Sequence, residues 1–138
     1  MPSLQQRLAS VLGEVVPVEQ EADGALTIRH DGTFASLRVV PVVEDLELVS
    51  LTQVLAWDLP LTKKMRDRVA EQALNTMLGS VALIEKVSEK GAKRDSGRTA
   101  DVMLRYNFPG AGLTDDALRT LVLMVLDKGA NVRRALIG

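Results

Sequence analysis

Residues 25–39 read Ala-Leu-Thr-Ile-Arg-His-Asp-Gly-Thr-Phe-Ala-Ser-Leu-Arg-Val, two alternating runs with Asp31-Gly32 between them. A two-residue hairpin turn needs positive φ at both central positions, and Asp-Gly accepts this readily. The spacing therefore predicts a β-hairpin that pairs Ile28 with Ala35, Leu26 with Leu37, Arg29 with Phe34 and Thr27 with Ser36. One face is then apolar and the other mixed, as in a half-buried antiparallel sheet.

Downstream, residues 46–57 read as a third strand after an acidic turn at Glu44-Asp45. An even-length turn there pairs Val39 with Ser50, Leu37 with Thr52 and Ala35 with Val54. The second face then collects Phe34, Val40, Val42, Val49, Leu51, Leu55 and Trp57, diluted by Ser36, Arg38, Glu47 and Gln53. That is too apolar for a face left to water. It calls for a cover: a helix of the same chain, a second copy, or a client. Phe34, Val49, Leu51, Leu55 and Trp57 are accordingly the candidate partner-binding or dimer-interface residues. An odd-length turn would exchange the faces.

Helical periods flank these strands. Ser3 and Gln6 have capping-box spacing, and Leu4, Leu8, Val11 and Leu12 form one apolar stripe that Gly13 ends. Residues 15–24 are acidic and read as irregular. Leu59-Pro60-Leu61 closes the third strand, and Thr62 caps a second helix with Met65, Val69, Ala73 and Met77 on its apolar side. Gly79 ends that helix. Residues 81–87 and 99–108 read as a second hairpin, joined by the polar stretch 89–98. Thr114 caps the last helix, with Asp115 and Asp116 in its first turn and Arg133 and Arg134 in its last, both favourable to the helix dipole. Residues 121–126 are apolar all round, which predicts burial on more than one side. The resulting order, α-β-β-β-α-β-β-α, defines an α+β class with a mostly antiparallel sheet packed by helices. It accounts for residues 1–138 as one domain.

The chain has no cysteine, which excludes disulfides and thiolate metal sites. Its start lacks the basic and apolar regions of a secretory signal, and no apolar run reaches the ~20 residues of a membrane span. The cytoplasm is the expected location. Charge is divided: residues 1–61 carry three Arg and no Lys against nine acidic residues, and residues 62–138 carry fourteen Lys and Arg against nine. The basic residues alternate with acidic ones, so no dense basic patch forms. Lys86, Lys90, Lys93, Arg94 and Arg98 gather in one hairpin, but single-strand binders also need aromatic platforms. Only Phe34, Trp57, Tyr106 and Phe108 are aromatic. Nucleic acid is therefore not an expected partner. His30 is the only histidine, at a hairpin mouth with no identifiable nucleophile. The acidic pairs Asp115-Asp116 and Glu44-Asp45 are explained by capping and turn chemistry. Gly91, Gly97, Gly110 and Gly112 form no phosphate loop. No catalytic residue, metal ligand or cofactor site is expected.

The element order in a small domain resembles the type III secretion chaperone-like fold, and within it the YbjN-like bacterial proteins. The carrying residues are Leu59-Pro60, Ala73-Leu74-Asn75, Tyr106-Asn107-Phe108-Pro109 and the run at 113–118. A second Asn expected after Leu74-Asn75 is absent; Met77 and Leu78 stand there. The resemblance implies a non-enzymatic, usually dimeric protein associated with peptide binding or regulation. Two functions follow as expectations. One is a chaperone-like module that holds a protein or peptide segment on an apolar sheet surface. The other is a dimeric regulatory or sensory protein whose apolar face is only its homodimer interface.

Overall fold

The computed structural model describes residues 2–87 and 98–137. Its elements are α1 (Leu4–Gly13), β1 (Val18–Gln20), β2 (Leu26–His30), β3 (Thr33–Val43), β4 (Leu46–Pro60), α2 (Lys63–Leu74), β5 (Ser80–Val87), β6 (Arg98–Pro109) and α3 (Asp115–Ile137). The class is α+β, with the strands in one antiparallel sheet of order β1-β2-β3-β4-β6-β5. The one strand not expected is β1, three residues in the acidic segment that pair with the edge of β2. Val18-Glu19-Gln20 is too short to show a period of two. The polar connection expected at residues 89–98 lies outside the described residues, except for Arg98.

The first hairpin forms in the expected register, Leu26 opposite Leu37 and Ile28 opposite Ala35. Asp31 and Gly32 take φ of 46° and 84°, the left-handed pair that the turn demands. All three helix starts are capped as the sequence predicts. Ser3 and Gln6 make a reciprocal capping box. The Thr62 and Thr114 hydroxyls accept from the backbone N–H groups of Met65 and Ala117, both at 3.1 Å.

The three helices lie on the same face of the sheet. Leu8 and Leu12 of α1, Met65 and Val69 of α2, and Leu118, Val122, Val125 and Leu126 of α3 join the sheet's inward residues in one core. The α3 helix packs between α1 and α2 over the strands, as its apolar centre requires. Met77 departs from expectation. The second helix stops at Leu74 with Asn75 as its C-cap, and Met77 is 83% exposed.

Among the described residues the core also holds two polar side chains, Gln53 and Thr33. Gln53 Nε2 donates to Thr33 Oγ1 at 2.8 Å and to the Leu126 carbonyl at 3.1 Å. Thr33 Oγ1 donates in turn to the His30 carbonyl at 2.6 Å. Gln53 lies flat against Gly129 of α3. A Cβ on Gly129 would stand 2.1 Å from Gln53 Oε1.

One feature of β3 sets the faces of the whole sheet. The turn at Glu44-Asp45 has the expected two residues, Val43 pairing with Leu46. A bulge between Pro41 and Val43 then inserts one residue into β3. Below it the register runs Val39 with Val49, Leu37 with Leu51 and Ala35 with Gln53. That is one residue away from the expected pairing, and a one-residue slip turns every side chain of the strand to the opposite face.

Candidate partner-binding face

The slip divides the five candidate residues. Val49, Leu51 and Leu55 point into the core and are fully buried. They are covered by the chain's own helices and are not partner-binding residues. Phe34 and Trp57 lie outside the core, 41% and 47% exposed. Their rings touch at a centroid distance of 6.0 Å and a tilt of 56°.

The strand β4 brings Trp57 outward through two further bulges, between Val54 and Ala56 and between Ala56 and Leu59. The first puts Leu55 and Ala56 together opposite Val102, and both are buried. The second contains Asp58, a non-glycine residue at φ 56°. Its carboxylate anchors it, accepting from Lys86 Nζ at 2.6 Å, while its backbone N–H donates to Asp101 Oδ1 at 3.1 Å. Lys86 also bridges to Asp101 at 2.7 Å. These bonds, Asp101 first and Asp58 second, hold the Lys86 ammonium above its ordinary pKa. A raised lysine pKa stabilises the fold fully below pH ~10.4, and the contribution disappears as pH rises through the raised value. Lys86→Met should therefore melt below the wild type by a constant interval at neutral pH. In thermal melts from neutral pH upward the interval should narrow only above pH ~10.4. A gap that closed between pH 5 and 8 would contradict this assignment.

The Arg133 guanidinium of α3 reaches the same end of the sheet. It donates to the Leu55 carbonyl at 2.8 Å and lies 5.4 Å from the Trp57 ring centroid, a cation–π distance. His30 ties the first hairpin to α3 there, its Nε2 standing 2.8 Å from Asp127 Oδ1. The histidine thus has a structural partner at the hairpin mouth.

No described helix covers the other face of the sheet. Cross-strand pairing gives its layout from end to end. At the tip end are Phe34, Val54 and Met103, in register across β3, β4 and β6, with the Trp57 ring against Phe34. The middle is polar: Ser36, Thr52 and Arg105 in one row, Arg38, Ser50 and Asn107 in the next. Arg38 is paired with Asp23 at 2.7 Å. The Ala25 backbone N–H and that guanidinium hold the Asp23 carboxyl below its ordinary pKa. The far end is aliphatic. Val40 pairs with Leu48 and Val43 with Leu46, and period-two alternation places all four on this face.

The aliphatic end is also the part that projects. The strand β2 leaves β3 at Leu37 and β6 leaves β4 at Leu48, so residues 40–47 form a two-stranded arm beyond the sheet. Val40, Val42, Val43 and Leu46 are all exposed, Val43 at 63%. Glu44, Asp45 and Glu47 are exposed among them. Of the two arm residues that the sequence places on the second face, Val40 is there, whereas Val42 is the unpaired residue of the bulge. Val43 and Leu46 were missed because only the bulge brings them there. A separate apolar spot on the helical side joins Met77, Leu78 and Met124.

Among the described residues, no cluster of His, Asp and Glu could hold a metal ion, and no helix is long and apolar enough to cross a membrane. No model of a known protein family matches the chain, and no curated protein matches it.

Proposed function

We propose that this domain is a non-enzymatic protein-binding module that holds a segment of another protein on the uncovered face of its sheet. The observation that carries the reading is the exposed aliphatic group Val40, Val43 and Leu46, gathered on one face of a projecting arm without helical cover, with half-buried Leu48 at its base. Contiguous exposed apolar surface mostly marks interaction sites in folded proteins. The resemblance to YbjN-like and type III secretion chaperone-like proteins is in keeping with it. The aromatic pair at the opposite end of the same face gives a second anchor, of the residue types that dominate interface energetics.

The test is a holding assay. At equimolar ratio the protein should suppress the light scattering of a chemically unfolded model protein diluted into buffer. Val43→Ser/Leu46→Ser should lose most of that effect while keeping the wild-type circular dichroism, and His30→Ala should retain it. No suppression by the wild type defeats the reading. The other occupant with a structural reason is a second copy, because an aliphatic patch can pack against its own copy across a two-fold axis. The domain would then be a homodimeric regulatory or sensory protein. Light scattering at micromolar concentration decides: a dimer that Val43→Ser/Leu46→Ser splits assigns the patch to self-association.

A further inference from the structure

We infer that the arm selects cationic segments, namely stretches of another protein that present aliphatic side chains beside lysine or arginine. The inference rests on the protein-binding reading and names the chemistry of the bound segment. Its basis is the charge on the arm. Three carboxylates, Glu44, Asp45 and Glu47, lie within four residues at the tip: Glu44 and Asp45 form the turn beside Val43 and Leu46, and Glu47, opposite Pro41, follows on the other face of the arm. From Val39 to Thr62 the chain contains no lysine or arginine. Among the described residues none of the three carboxylates is in a salt bridge, whereas Asp23, at the base of the arm, is paired with Arg38. The charges of the arm itself are therefore all negative, while Arg38 and Arg105 stand farther along the same sheet face. An anionic segment would meet repulsion there and an uncharged one would gain only the apolar term. The two-residue turn explains Asp45, which takes φ 64°. The turn chemistry expected of the Glu44-Asp45 pair thus holds for Asp45 alone, since neither Glu44 nor Glu47 takes a positive φ.

Two labelled amphipathic peptides with the same leucine pattern, one with lysine and one with glutamate on the polar positions, serve as probes for fluorescence anisotropy with the full chain. The lysine peptide should bind at least about tenfold more tightly than the glutamate peptide, and its affinity should fall as salt rises from about 50 to 500 mM. Glu44→Gln/Asp45→Asn/Glu47→Gln should weaken the lysine peptide by about tenfold and flatten the salt dependence. Glu19→Gln/Glu21→Gln removes carboxylates elsewhere and should leave both unchanged, which separates the arm from the charge of the chain as a whole. Val43→Ser/Leu46→Ser should abolish binding of either peptide. Loss in the serine variant but not in the neutralised arm would overturn the cationic preference and leave the protein-binding reading standing. Equal effects of the Glu19/Glu21 and arm variants would also overturn it. Indifference to both arm variants would overturn the inference and the reading together. A dimer that the serine variant splits would make a second copy the occupant and overturn the inference.

Discussion

Gly129→Ala is expected to destabilise the fold by about 3 kcal/mol, although alanine is the better helix former by ~1 kcal/mol. The new methyl would fall 2.1 Å from Gln53 Oε1 and 2.4 Å from its Cδ. Neither side can give cheaply. Gly129 is mid-helix in α3, and Gln53 is held by two hydrogen bonds in a site with no solvent access. Moving Gln53 breaks its bonds to Thr33 and to the Leu126 carbonyl, and a buried polar group left without a partner costs ~1–3 kcal/mol. Urea unfolding of Gly129→Ala, Gln53→Ala and the double variant tests this directly. In the Gln53→Ala background the helix preference should reassert itself, so that adding Gly129→Ala costs little or stabilises. The coupling should then exceed about 2 kcal/mol, within the range of residues in contact. Additive effects would mean that α3 does not approach the sheet at Gly129.

The second large effect is Leu51→Asp, which should leave the chain unfolded. Leu51 is fully buried opposite Leu37, and α1 and α3 close the core above the sheet. A carboxylate there has no partner, and truncation to alanine alone costs ~2–5 kcal/mol. Against a total stability of ~5–15 kcal/mol the folded state should not survive. Val43→Asp, on the arm, carries the same kind of change at a 63% exposed position and should leave the fold intact. Far-ultraviolet circular dichroism and a thermal melt of the two variants suffice. A folded Leu51→Asp would restore the register that the bulge overturns.

That pair of variants also marks where the sequence was legible. Local chemistry was readable where it rests on a few adjacent residues, as in the Asp31-Gly32 turn, the three N-caps and the stripe of α1. The assignment of faces was not. It depended on counting residues between the Glu44-Asp45 turn and the body of the sheet, and a bulge changes that count without leaving a signature in a run of Val-Val-Pro-Val-Val. Val49, Leu51 and Leu55 alternate just as well for either face. Phe34 and Trp57 stayed on the uncovered side for separate reasons, Phe34 through the first hairpin and Trp57 through the irregularities of β4. Met77 illustrates the converse error, since its helical spacing continued past the point where Asn75 ends the helix.

Pro41 bears on how such an arm is kept safe. Among the described residues the outer edge of β3 beyond Leu37 has no neighbouring strand, and the segment there is rich in valine, a residue of high β-propensity of the kind found in fibril-forming segments. A proline in the middle of that edge has no N–H to offer an incoming strand, and the adjacent bulge bends the strand away from the flat geometry that templated growth needs. The chain can therefore present adhesive side chains from the face of the arm while its backbone resists recruitment into amyloid.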